Sequence, residues 1–272
     1  MSEEQQASNL KNFTQETQTL WDGKAEFWDE LMGDEGNLFQ RLLVGPTTER
    51  LLEVQPGMVI LDVACGNGVF ARRLAQLGAQ IVAADYSARL VELAKARSEK
   101  RGDQIEFQQV DATNSEQLLA LGEKRFDAVV CNMALQDMTT IEPLINTVPR
   151  LLKPGGRFVF AIPHPCFNQT TARKIIEEED RDGQLVTSYA LKIYSYLTTT
   201  VQKAMGAPNE PNPHYYFDRP LNVLLNTCFK AGFVMDGLEE PKFESGEQPG
   251  RPFHWANYPE IPPVLAVRMR LL

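Results

Sequence analysis

Residues 60–70 read Ile60-Leu61-Asp62-Val63-Ala64-Cys65-Gly66-Asn67-Gly68-Val69-Phe70, and this stretch decides the fold. An apolar run ends in an acid, and a glycine-bearing loop then opens a helical pattern. Such a loop lets backbone approach a ligand closely, with the helix amides and positive end turned toward it. Asp62 adds a carboxylate acceptor at the strand end. The spacing Gly66-x-Gly68-x-x-Ala71 also fits the relaxed dinucleotide-binding fingerprint, so the loop alone leaves the ligand open.

Downstream, strands and helices alternate. Ile81 to Ala84 reads as a strand ending at Asp85, Ser87 caps a helix closed by Gly102, and Ile105 to Val110 is a strand followed by Asp111. Phe126 to Cys131 is a further strand followed by Asn132. Next comes a helix carrying Leu144, Val148, Leu151 and Leu152, which Pro149 should kink or shorten. Lys153-Pro154-Gly155-Gly156 turns into a strand from Arg157 to Ile162. This order predicts an α/β fold, a Rossmann-like doubly wound sheet covered on both faces. Upstream, the residues to about Gln15 read as loosely packed. A helix follows with Trp21, Ala25, Trp28 and Met32 on one face, and two shorter helical stretches precede Pro56-Gly57. From Pro163 to Asp218 the pattern breaks into proline-, aromatic- and hydroxyl-rich sequence, where the acidic run Glu177 to Asp180 reads as a solvated helix face. A helix after Arg219-Pro220 and strands Phe233 to Leu238 and Pro263 to Leu271 close the chain. The expected division is an N-terminal helical lid over 1–53, a ligand-binding core over 54–162, an inserted cap over 163–218 and completion of the sheet over 219–272.

The 272 residues suffice for one large α/β domain. A net charge of −9 argues against a nucleic-acid partner, which needs a basic stripe. No run is long and apolar enough to span a membrane, and the polar, acidic start is not a secretory signal. Cys65, Cys131, Cys166 and Cys228 lack metal or redox spacing and read as free thiols. The expectation is a cytoplasmic protein that holds no metal.

In an open parallel sheet the strand carboxyl ends form the ligand crevice. Here those ends carry Asp62 with Ala64, Gly66, Asn67 and Gly68, then Asp85-Tyr86, Asp111-Ala112 and Asn132-Met133. Any one acid after a strand can be a mere turn former, but four polar ends at one rim point to a ligand. Asp85 suits ribose hydroxyls, of NAD or of an adenosine sulfonium alike. Asp62 discriminates, because a carboxylate there repels a pyrophosphate and attracts an ammonium group. Asp111 with Ala112 suits an adenine edge, and Tyr86, Ala112 and Met133 can sandwich its ring.

Together these segments resemble a class I S-adenosylmethionine-dependent methyltransferase, of a bacterial small-molecule type, from about Trp21 to the C terminus. VILDVACGNGVFARRLA resembles the first motif of that family, IVAADYSARLVELA the second, VDAT the third and FDAVVCNMALQDM the fourth, with LLKPGGRFVF after it. The resemblance implies S-adenosyl-L-methionine as cofactor, leaving as S-adenosyl-L-homocysteine, and a seven-stranded sheet with the last strand antiparallel. It implies a loop at Asp62, Ala64, Gly66 and Gly68, with Asp85 at the ribose and Asp111 beside adenine. Ala64 departs from the glycine common there.

Methyl transfer from a sulfonium is an in-line displacement that needs positioning and dryness, and a base only when the acceptor must lose a proton. His164, in Pro163-His164-Pro165-Cys166-Phe167, directly follows a strand. It is either that base or a residue that ties the loop. His-Pro-Cys-Phe resembles a subgroup of bacterial small-molecule methyltransferases without assigning the histidine a role. His214 and Tyr215, in a cluster with Tyr216 and Asp218, and His254 with Trp255 are candidates to line an acceptor pocket, or else loop packing. Asn132-Met133-Ala134-Leu135 is not the Asn/Asp-Pro-Pro-aromatic box of base-amine methylation. The leading expectation is methyl transfer to a small molecule, with the methylated atom, the pathway and the oligomeric state open. A nicotinamide oxidoreductase with the same loop and a non-catalytic S-adenosylmethionine-binding module are the alternatives.

Overall fold

The structure, a computed structural model, describes residues 3–244 and 251–271. The expected segments 1–53 and 219–272 thus include Met1, Ser2, residues 245–250 and Leu272, which lie outside the described residues.

Seven strands form the central sheet: β1 (Val59–Val63), β2 (Gln80–Asp85), β3 (Ile105–Gln109), β4 (Phe126–Asn132), β5 (Leu152–Pro163), β10 (Phe233–Glu239) and β11 (Val264–Leu271). Their order is β10-β11-β5-β4-β1-β2-β3. β11 runs antiparallel to both neighbours, while the other pairs are parallel. Alternation along the strands feeds two cores. Leu61, Val63, Val82, Val129 and Phe158 face α6 (Ser115–Ala120), α7 (Glu142–Leu151) and α8 (Leu221–Lys230). Ile60, Ile81, Ala128, Val130 and Val159 face α3 (Gly45–Leu52) and α4 (Val69–Gln76). α5 (Ala88–Arg101) packs on β2 and β3, with Ser87 capping its start and Gly102 its end at φ 77°.

Several expectations are corrected. α1 (Glu3–Asp22) is helical from Glu3, where loose packing was expected. Trp21 is not on the helix of Ala25, Trp28 and Met32, because Gly23 and Lys24 turn the chain between α1 and α2 (Ala25–Met32). A π-helical segment, Phe39–Val44, then leads straight into α3. α6 was not foreseen. It is short, and its clearest signal is Asn114, whose side chain accepts from the amides of Glu116 and Gln117. Pro149 lies in the last turn of α7, so that helix stops at Leu151 and Leu152 joins β5. The turn Lys153-Pro154-Gly155-Gly156 is absorbed in β5 as an irregularity against β4.

The largest correction concerns residues 163–218. Glu177 to Asp180 lie on a strand, β6 (Arg173–Arg181), paired antiparallel with β7 (Gln184–Lys192). The turn is Asp182-Gly183, both at positive φ, a standard two-residue hairpin signal. A second hairpin pairs β8 (Thr200–Ala204) with β9 (His214–Asp218).

Candidate functional site

Parallel pairing of β1 with β2 and β4 aligns their carboxyl ends, with Asp62 beside Ala83 and Val130 in register. Over that rim lies a cavity of about 520 Å³. It is lined by Asp62, Ala64, Gly66, Asn67, Asp85, Tyr86, Asp111, Ala112, Asn132 and Met133 from the sheet side. The N-terminal helices add Trp21, Trp28 and Met32, and the 163–218 segment adds Met205, His214 and Tyr216.

Asp85 anchors the glycine loop. One carboxyl oxygen accepts the Gly66 amide at 2.9 Å and the other the Ser87 amide at 2.9 Å. Burial pushes its carboxyl up to about 6, against the pull of those amides. Asp62 is different: it is 2 % exposed, and its Oδ2 has no hydrogen-bond partner. Burial, and then the nearby Asp85 charge, push its carboxyl up to about 8. Asn132 accepts from the Thr48 hydroxyl at 3.0 Å, while its buried Nδ2 has no partner. Asp111 Oδ1 accepts from the Thr113 amide and hydroxyl, each at 2.8 Å.

Gly68 does not line the cavity; it supports the loop from behind. At φ 74° a Cβ there would meet the Ala94 Cβ and the Phe107 ring at 3.2 Å. Gly68→Ala is therefore expected to lower stability by about 1–2 kcal/mol from the left-handed backbone alone, read as a lower urea midpoint. Ala64, at φ 56°, accepts that same backbone cost where glycine would not. Its departure from the family glycine is a matter of strain, not room.

The N-terminal helices roof the cavity and bond to the loops beneath. Gln18 Nε2 donates to the Tyr86 carbonyl at 2.8 Å, and the Ser87 hydroxyl to Asp22 at 2.5 Å. Asn67 Nδ2 donates to the Gly33 carbonyl at 3.0 Å. Arg97 on α5 grips Asp29 on α2 through two bonds of 2.5 and 2.8 Å.

Besides Gly68, three expected site residues lie away from the cavity: His164, Tyr215 and His254. His164 was expected to face the crevice. Instead its Nδ1 accepts the Cys166 amide at 3.1 Å and its Nε2 meets Glu240 at 2.8 Å. The reason is that β5 runs on to Pro163, still paired with Val264 of β11, and the His164 amide bonds to Pro263. Burial holds the imidazole below its ordinary value despite Glu240. Tyr215 stands edge-on to Phe13, its hydroxyl 3.1 Å from both oxygens of Glu16. Alternation along β9 turns Tyr216 inward in its place. His254 caps Ala256 and packs on Phe243, whereas Trp255 does line the cavity, with Lys174 Nζ 3.7 Å from its ring centre.

Two polar groups of the cavity, Asp137 and Gln136, and two behind its wall, Lys24 and Glu210, went unrecognised as site residues. Asp137 and Gln136 sit within the fourth motif and line the cavity. Lys24 and Glu210 form a fully buried ion pair of 2.6 Å across 186 positions, behind His214. Such a separation leaves no local signal. Among the described residues no group of three or more His, Cys, Asp or Glu is arranged to hold a metal ion, and no helix is long and apolar enough to cross a membrane.

Comparison with known proteins bears on this site. A family described as "Methyltransferase domain" matches residues 54–205. Among curated proteins, the ubiquinone biosynthesis O-methyltransferase of Xanthomonas axonopodis pv. citri is 36% identical over 101 residues, 37% of this chain and 41% of that protein. Its namesake from Coxiella burnetii is 30% identical over 122 residues, 44% of this chain and 50% of that one. The chain thus spans about half the length of the curated relatives it matches, or less. A crystal structure of an S-adenosylmethionine-dependent methyltransferase from Mesorhizobium loti superposes with a TM-score of 0.66 at 26% identity, covering 83% of this chain and 96% of that one. The seven-stranded sheet with one reversed strand, the acid-ended strands around one cavity and the matched domain agree: the chain belongs to the class I methyltransferase-domain family.

Proposed function

We propose that this protein moves a methyl group from S-adenosyl-L-methionine to a small-molecule acceptor within the cavity over the sheet rim. The observation that carries the reading is the Asp62 carboxyl, buried beside the glycine loop with an oxygen that no group among the described residues satisfies. An unmet buried acceptor costs about 1–3 kcal/mol, and an ammonium group of an amino-acid moiety meets that need. A pyrophosphate cannot stabilise the ionised form of that carboxyl as an ammonium can, and the methyltransferase-domain match also weighs against the oxidoreductase alternative.

In this reading Asp85 and Tyr86 hold the ribose, Asp111 and Ala112 the adenine edge, and Asn132 and Met133 the neighbouring wall. S-adenosyl-L-methionine supplies a methyl group already activated by the positive sulfur. The protein orients the acceptor and excludes water, with residues 1–53 as lid and 163–218 as cap. His164, with both ring nitrogens occupied away from the cavity, serves the loop.

The test is calorimetry with S-adenosyl-L-homocysteine. In the folded, empty protein Asp62 keeps its proton up to about pH 8, whereas unfolded it ionises at the ordinary carboxyl value. Between those values the folded state carries the extra proton, so this group's contribution to stability falls as pH rises. An ammonium pairs only with the ionised form. Binding at neutral pH is therefore expected to release a proton, seen as a buffer-dependent heat. Affinity should climb with pH by up to about tenfold per unit, levelling above Asp62's titration. Asp62→Asn should abolish both effects. Absence of binding by the wild-type protein ends the reading.

A further inference from the structure

A polar cluster on four separate segments lines or backs the same cavity. Lys24 sits in the turn between α1 and α2, Glu210 between β8 and β9, His214 at the start of β9, and Asp137 after β4. Lys24 Nζ lies 2.6 Å from Glu210 Oε1 and 2.5 Å from His214 Nδ1. Glu210 also accepts the Trp28 indole N–H at 3.0 Å and the Gly206 amide at 2.6 Å. His214 Nδ1 lies between the Lys24 ammonium, at 2.5 Å, and Glu210 Oε1, at 3.1 Å; the ammonium can only donate, and its shorter contact takes the Nδ1 lone pair, which leaves the ring proton on Nε2. Burial, and then the Lys24 charge, hold the imidazolium down at about 4, so the ring stays neutral. It is therefore a fixed donor and not a base.

That Nε2 lies 3.6 Å from Asp137 Oδ1, beyond hydrogen-bond length, so its N–H faces the carboxyl and biases its orientation without taking up the oxygen's lone pairs. Asp137 Oδ2 accepts from Gln136 Nε2 at 3.0 Å, but Oδ1 is buried with no hydrogen-bond partner, as is Gln136 Oε1. Both residues line the cavity, with Trp21, Trp28 and Tyr216 as aromatic walls. Trp21 lies 5.7 Å from Trp28 and 4.9 Å from His214, which stacks at 4.5 Å on Tyr216. Two acceptors that the protein leaves unmet, among flat apolar faces, are complementary to a flat ligand that brings a donor.

We propose that Asp137 receives the reacting group of the acceptor, that this group is an O–H or N–H on a flat body, and that His214 is the positioning residue that orients Asp137. The inference rests on the methyl-transfer reading above. The acceptor heteroatom uses a lone pair to form the new bond to the methyl carbon. The carbon–sulfur pair stays on sulfur, and the heteroatom's proton passes to Asp137. One positive and one negative charge disappear together, which a buried site favours. Burial holds the Asp137 carboxyl well above the usual range, opposed by Lys24 and Arg219 and reinforced by Glu210. His214, Tyr86, Tyr216 and the buried Cys131 thiol are the other titratable groups around it. A raised carboxyl is a better proton acceptor than a solvated one. Carbon nucleophiles, thioethers and tertiary amines, which bring no proton, fall outside the predicted class.

The test uses matched probes on protein saturated with S-adenosyl-L-homocysteine: phenol against anisole, naphthol against methoxynaphthalene, aniline against dimethylaniline. Calorimetry is expected to show the donor-bearing member of a pair binding at least about tenfold more tightly, the worth of a hydrogen bond to a charged group. Asp137→Asn should reduce that preference to near parity while keeping homocysteine-ligand binding, which reports an intact fold and cofactor site. His214→Gln, which keeps an N–H, should retain part of the preference, and His214→Phe should lose it. With the best probe as acceptor, transfer should rise with pH through a carboxyl titration that is absent in Asp137→Asn. Failure of the wild type to bind S-adenosyl-L-homocysteine overturns the cofactor reading. Binding of that ligand with no donor-bearing probe preferred, or a preference that survives in Asp137→Asn, overturns this proposal alone.

Discussion

Lys24→Met is expected to lower the unfolding free energy by about 3–5 kcal/mol, the cost of stranding one member of a buried ion pair. Neither side chain of the pair touches solvent, and Glu210 would keep the Trp28 and Gly206 donors and the His214 ring nitrogen at 3.1 Å, but no cation. Lys24 draws its stability from position, not from exposure: burial depresses its ammonium while Glu210 and Asp137 support it. Adding Glu210→Gln to Lys24→Met removes the stranded charge and is expected to recover most of the loss. Urea unfolding of the wild type, the single variant and the double variant measures all three. A single variant within about 1 kcal/mol of wild type, the range of a surface pair, would show that water reaches the pair in solution.

Asp85→Ala is expected to weaken S-adenosyl-L-homocysteine binding by about a hundredfold or more. Two charge-assisted bonds, to the Gly66 and Ser87 amides, hold the glycine loop and the corner before α5 in place. Each is worth about 1.5–3 kcal/mol, and losing both frees the loop that presents its backbone to the ligand. The same carboxyl is the group set to take the ribose hydroxyls, so shape and contact fail together. Asp85→Asn keeps one acceptor oxygen and should fall between. Calorimetry at neutral pH decides; an affinity within a few-fold of wild type in Asp85→Ala would remove Asp85 from both roles.

Much of the core is legible from residue order because local signals and the sheet agree. Strands β2 and β4 end at a polar group and β1 one residue past Asp62, Ser87 and Gly102 frame α5 as capping chemistry demands, and Arg268 and Arg270 alternate with Val267 and Met269 in β11. The inserted segment was misread because four consecutive acids carry no period, so charge alone suggested a solvated helix. The corrective signal was Asp182-Gly183, followed by the β-branched and aromatic residues of β7. His164 was misplaced for a reason of register: pairing with Val264 holds the chain in the sheet to the last residue before it. Tyr215 and Tyr216 exchanged roles through the two-residue alternation of a strand not foreseen at β9. The Lys24, Glu210, His214 and Asp137 cluster was beyond reach, since tertiary folding alone brings together residues up to 190 positions apart.

The bonds from Gln18 and Asp22 to the Tyr86–Ser87 corner, and from Asn67 to Gly33, run between the covering helices and the very loops that would cradle a nucleoside. Roof and floor are therefore one latched assembly. In the proposed reading a guest beneath them leaves as those clasps open, so the covering helices are expected to set its residence time as well as to wall it in. Truncating them would be felt in dwell time as much as in strength of attachment.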